Sequence, residues 1–136
     1  MARGYRNCNP GNIRNSLVRY LGEKESTDIA FKQFESMAWG FRAMFVLLDT
    51  YRVRYGLKTL QQMIERYAPP SENDTTGYVS YITRRTRIAD ISTVDTHSEK
   101  QMIPLVTAMA AIENGSDPDA EDVRKGWELF INSTPK

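Results

Sequence analysis

Glu113 is the residue of this chain best placed to do chemistry. It closes the run Leu105-Val-Thr-Ala-Met-Ala-Ala-Ile-Glu113-Asn-Gly115, an apolar stretch with a glycine where a helix C-cap belongs. A carboxylate there meets the negative end of the helix and apolar neighbours, and both raise its pKa. A carboxyl still protonated near neutral pH can donate its proton to a leaving oxygen. The same position also fits a solvated glutamate at a fraying helix end.

Other chemistries find little material. The chain has one cysteine, Cys8, and one histidine, His97. An intrachain disulfide is therefore impossible, and a zinc site lacks its usual ligands. No serine lies in a G-x-S-x-G elbow, which argues against a serine peptidase. Glycosidic cleavage, by contrast, needs carboxyl groups and no metal or cofactor. Arg84, Arg85 and Arg87 form the densest cation group. They read as the solvated end of a helix, where they complement its dipole, because no glycine-rich anion loop accompanies them.

The elements that must position Glu113 can be read from caps and spacing. Asn9-Pro10-Gly11-Asn12 reads as a turn in which Pro10 fixes φ and Gly11 supplies a positive φ. Residues 17 to 34 read as a short β-hairpin or ribbon with a polar tip from Gly22 to Asp28. Ser36 caps a helix that runs to about Tyr55, with Gly56 at its end. Thr59-x-x-Gln62 fits a capping box for a helix that stops at Ala68, before Pro69-Pro70. Asp74 or Thr75 opens the next helix, with Tyr78, Val79 and Ile82 on one face. Ser98 caps the helix that carries Glu113, which Pro104 is expected to kink. Asp117-Pro118 reads as the start of a last helix running to about Ile131.

Length and composition fit this picture. The chain has 136 residues, 40% of them apolar and 26% charged, as in a soluble globular domain with one core. A net charge of +1 suggests neither a nucleic-acid tail nor a membrane-binding field. No run of about 18 apolar residues is present to span a bilayer. The basic N-terminus lacks the apolar segment of a signal peptide.

The segments "RGYRNCNPGNIR", "FKQFESMAWGFRAMFVLL", "YGLKTLQQMIERYAPPSENDTTGYVSYI" and "MAAIENG" resemble, in the same order, a phage and prophage family. Its members open "RGIRNNNPGNIR" and carry an "APPxENDTxxY" block. They are described as virion or structural proteins and look like lysozyme-type peptidoglycan hydrolases. The chain is also similar to autolysin-type glucosaminidases and lytic transglycosylases. Those have a helix ending in a catalytic Glu, then a turn, a ribbon and a Tyr-containing helical block. Here the Glu helix comes last instead of first.

The resemblance implies a mainly α (α+β) lysozyme-like fold, circularly permuted, with about five helices and a small N-terminal β-ribbon in one domain over residues 1–136. It implies cleavage of β-1,4 bonds in the peptidoglycan glycan strand, with Glu113 as general acid. Glu25 or Asp28 on the ribbon would be a second, water-activating carboxylate if the enzyme inverts; transglycosylation needs none. Asn9 and Asn12 would shape the cleft wall and touch substrate, and Glu72, Tyr78 and Tyr81 would line the cleft. From the residues alone, Glu72 reads first as a helix cap, and the two tyrosines read first as core with hydroxyls at the rim. Family members have Asn in place of Cys8, so Cys8 reads as a tolerated small residue, and His97 reads as a surface residue. The partners implied are the glycan strand and other virion proteins, with no nucleic acid, membrane, metal or cofactor. The implied location is the phage virion, or the bacterial cytoplasm before release, with action at the cell wall. The alternative is a virion structural or assembly protein that keeps the fold and binds glycan or protein without cutting.

Overall fold

The computed structural model describes residues 1–133. It is mainly helical: α1 (Arg3–Arg6), α2 (Met37–Tyr55), α3 (Leu60–Tyr67), α4 (Thr75–Thr86), α5 (Glu99–Asn114) and α6 (Ala120–Ser133). One antiparallel ribbon joins β1 (Glu23–Lys24) to β2 (Gln33–Phe34).

Local capping chemistry sets most boundaries. Ser36 accepts a hydrogen bond from the Trp39 N–H at the start of α2, and Gly56 ends that helix with φ 65°. Thr59 and Gln62 form a reciprocal capping box on α3. Asp74 accepts from the Gly77 N–H on α4, and Ser98 accepts from the Gln101 N–H on α5. Each cap satisfies an amide that the helix leaves without a partner. Pro104 sits at an exposed position inside α5 without ending it.

The core is one connected cluster under α2, α5 and α6. Helices α2 and α6 make the most extensive contact. Phe45 meets Trp127 edge-on with ring centroids 5.1 Å apart, and Trp127 lies 5.3 Å from Phe130. A Cβ on Gly126 would lie 3.0 Å from the Ala38 carbonyl oxygen, so the two helices approach at van der Waals range only because that position is bare.

Four expectations need correction. First, a short helix, α1, precedes the N-terminal turn. Second, the left-handed residues of the turn are Cys8 (φ 52°) and Asn12 (φ 50°), and Gly11 is not among them. Gly11 is needed for space: a Cβ there would run into the Tyr67 hydroxyl and lie 2.9 Å from Met44 Cγ. Third, Gly22 lies at the base of the ribbon against Trp39, and the tip runs later, through Asp28 to Phe31. Asp28 Oδ1 accepts from the Ala30 and Phe31 N–H groups at 2.8 and 3.1 Å, which folds the tip there. Fourth, α6 starts at Ala120. Asp117 is drawn away by Arg85, and the Asp119 carboxylate accepts from the Glu121 N–H instead.

Candidate functional site

The N-terminal turn and the end of α5 are stitched together across the chain. Asn114 Nδ2 donates to the Pro10 carbonyl at 2.8 Å, and the Tyr5 N–H donates to Asn114 Oδ1 at 3.1 Å. Asn12 Nδ2 donates to Glu113 Oε1 at 3.1 Å. The turn itself is set by Asn9. Its side chain donates to the Ile13 and Lys32 carbonyls and accepts from the Ile13 N–H, each at 2.9 Å. Asn9 is fully buried, so it holds the turn from beneath and does not face a ligand.

Glu113 stands between two open depressions. One, of about 270 Å³, is lined by Asn12, Arg14, Phe31, Tyr51, Tyr67 and Glu72 among others. The other, of about 480 Å³, is lined by Asp74, Gly77, Tyr78, Tyr81 and Arg84 among others. Glu113 and Asn73 line both, so the two form one groove with the carboxyl at its middle. Such concavity, with a few convergent polar groups, is the usual form of a ligand site.

The second oxygen of Glu113 accepts from the Tyr78 hydroxyl at 3.0 Å. Burial raises the Glu113 pKa above its ordinary value; the Asn12 and Tyr78 hydrogen bonds and the charge of Arg14 pull the other way without cancelling it. A desolvated carboxyl favours its neutral form, which is the form that can give a proton. Burial also pushes the Tyr78 and Tyr67 phenols well above their usual range, which keeps both neutral and able to donate.

The "APPSEND" block folds into the groove's rim. Glu72 and Asn73 N–H groups both donate to the Pro69 carbonyl at 3.0 Å, and the Thr75 hydroxyl donates to the Ala68 carbonyl at 2.6 Å. Asp74 takes the helix cap. Glu72 is left exposed at the mouth and pairs with Arg14 at 3.3 Å. Tyr81 lines the groove and accepts from Arg85 at 3.0 Å; Arg85 also grips Asp117 with two hydrogen bonds of 2.7 Å, tying the loop after Glu113 to α4.

The ribbon carboxylates lie elsewhere. Neither Glu25 nor Asp28 lines the groove. Glu25 is exposed. Asp28 is gripped by Arg3 at 2.8 and 2.7 Å and by Asn7 Nδ2 at 3.0 Å, which holds its carboxyl far below the usual carboxylate range. The ribbon's contribution to the groove is Phe31, whose ring lies between the guanidinium groups of Arg3 (4.7 Å) and Arg14 (5.5 Å). Phe31, Arg14 and Tyr67 escape sequence reasoning because only long-range contact makes them groove residues. Tyr67, immediately before Ala-Pro-Pro, carried a faint signal.

Among the described residues no helix is long and apolar enough to cross a membrane. No family model matches the chain. It is similar to protein P5 of Pseudoalteromonas phage PM2, with 36% identity over 132 residues that span 93% of this chain and 81% of that protein.

Proposed function

The chain belongs to the family of protein P5 of Pseudoalteromonas phage PM2, and from that membership and the groove at Glu113 we propose a phage virion protein that cleaves the glycan strand of peptidoglycan. The observation that carries this reading is the state of Glu113: a desolvated carboxyl at the middle of an open groove, with a separate donor on each oxygen. The site would belong to a single domain of lysozyme-like, circularly permuted arrangement. Its support is that the end of α5 rests on the N-terminal turn, the junction expected when a leading Glu helix is moved to the back of a compact domain.

In the proposed reaction Glu113 gives its proton to the bridging oxygen as the C1–O bond breaks, leaving a carboxylate. That carboxylate then takes the proton of the muramic acid 6-hydroxyl as its oxygen attacks C1, closing a 1,6-anhydro ring. Neither Glu25 nor Asp28 lines the groove, and the two carboxylates that do are engaged, Glu72 by Arg14 and Asp74 by the Gly77 N–H. This favours the intramolecular route over attack by an activated water, which calls for a free second carboxylate roughly 6.5–9.5 Å away in inverting enzymes. Asn12 and Tyr78 would hold the carboxyl, while Tyr81 and Glu72 lie where sugar units would pass.

The test is mass analysis of peptidoglycan digested by the wild type and by Glu113→Gln. Anhydro-muropeptides from the wild type alone are the expected result. Reducing ends would indicate hydrolysis instead, and no products at all would sink the enzymatic reading.

A second reading has its own support. A virion protein that binds glycan or a neighbouring virion protein without cutting fits the phage relative, and it fits a groove whose other carboxylates are already engaged, Glu72 by Arg14 and Asp74 as a helix cap. Retention of the protein on insoluble peptidoglycan without release of fragments is its signature.

A further inference from the structure

A cavity of about 570 Å³ adjoins the Glu113 groove and is lined by Arg19, Arg42, Arg54 and Arg66, with no Asp or Glu among the described residues that line it. This concentration of charge contrasts with the chain's net +1. The arginines are poorly neutralised from outside. Arg42 is 5% exposed, and its Nε donates to the Ser133 hydroxyl at 2.8 Å, a neutral partner. Arg66 lies over the Tyr55 ring at 4.1 Å and the Tyr51 ring at 5.5 Å. Arg19 reaches Glu23 at 3.4 Å, but Glu23 already pairs with the buried Lys32 at 3.0 Å. Arg42 is the buried member of the group, and the other three are exposed at the rim. A buried guanidinium without a carboxylate is costly, and an anion in the cavity would complete it.

The position of the cavity limits what that anion can be. Ile13, Leu47 and Tyr51 line both this cavity and the Glu113 groove. A ligand in the groove thus has a cationic branch within reach. Building on the glycan reading above, we infer that this cavity is a subsite for the carboxylates of the peptide stem that a muramic acid unit carries. Arginine forks match carboxylates in two-point geometry, and the tyrosine faces offer apolar cover to the stem's backbone. A concave opening continuous with a glycan groove suits a side branch of that polymer better than it suits a flat lipid surface.

The experiment is calorimetric titration of Glu113→Gln protein with three soluble probes. These are a glucosamine–muramic acid disaccharide bearing its stem peptide, the same disaccharide with the stem removed, and the stem-bearing form with its carboxylates amidated. The expected result is roughly 10–100-fold tighter binding of the first probe, the span of one or two charge-assisted hydrogen bonds. Arg54→Gln and Arg66→Gln, both at exposed positions, should each remove about 10-fold of that advantage while leaving binding of the stripped disaccharide unchanged, and Arg54→Gln should leave the melting temperature unchanged as well. Equal binding of the three probes, or no binding of any at millimolar concentration, overturns the inference. So does capture by anionic phosphatidylglycerol vesicles that Arg66→Gln weakens, without any dependence on the stem. Failure of the glycosidase reading appears separately, as absence of cleavage products, and leaves the stem dependence of binding readable.

Discussion

Asn12 and Glu113 meet at 3.1 Å although they stand 101 positions apart in the chain. Asn12 adopts a left-handed conformation to make that contact, one that Asn tolerates better than most residues. Its amide and the Tyr78 hydroxyl divide the two oxygens of a carboxyl that burial would otherwise keep more fully protonated. The proposed chemistry rests on that carboxyl, so Glu113→Gln, which keeps its size but cannot deliver a proton, should lower cleavage by roughly 10²–10⁴-fold. Muropeptide release is the readout, with unchanged far-ultraviolet circular dichroism as control.

The raised pKa of Glu113 has a sign for stability as well. In the unfolded chain the group titrates near its ordinary value of 4.5, and in the folded chain it titrates higher. As pH rises between the two, the unfolded state releases its proton first. The folded state therefore loses stability across that window and recovers it on acidification. Glu113→Gln cannot ionise. Its melting temperature should match the wild type near pH 4 and exceed it at neutral pH.

Removing either donor should move the catalytic titration upward. Both hydrogen bonds stabilise the charged form of Glu113, so Tyr78→Phe and Asn12→Gly should each shift the alkaline limb of the pH–rate profile to higher pH. Glycine suits φ 50° at position 12, which makes this variant a clean deletion of the amide. A limb that stays in place in both variants would mean that another group controls it.

Glu72 separates the two routes of cleavage. It lines the groove beside Glu113, exposed and paired with Arg14, whereas the remaining groove carboxylate, Asp74, is taken up as the cap of α4. The intramolecular route predicts that Glu72→Gln changes turnover less than about threefold, since a surface ion pair contributes little. A loss on the scale of Glu113→Gln would make Glu72 the base for an attacking water.

Cys8 carries a backbone cost. At φ 52° a residue other than Gly, Asn or Asp pays about 1–2 kcal/mol. Cys8→Asn should recover about 1 kcal/mol of this, seen as a higher denaturation midpoint with unchanged slope.

Features that depend on neighbouring residues were legible in the sequence, and features that depend on distant ones were not. Ser36, Thr59, Asp74 and Ser98 cap the helices they precede because a cap needs only an amide two or three residues on. Glu113 stood out because an apolar run, a carboxyl and a glycine occur in succession. The start of α6 was misplaced because Arg85, from another helix, takes Asp117. The ribbon's register escaped because its strands are two residues long, too short for an alternation to show. Gly11 was correctly singled out but for the wrong reason: its bareness serves Tyr67 and Met44, both far along the chain.

The stitch between the N-terminal turn and the end of α5 also sets a clock. The first half of the site leaves the ribosome 101 residues before the second. At ordinary elongation rates that interval is roughly 5–20 s. During it the turn at Cys8 to Asn12 has nothing from α5 to rest on, and no groove exists. A nascent or truncated chain lacking α5 thus carries the turn without the site.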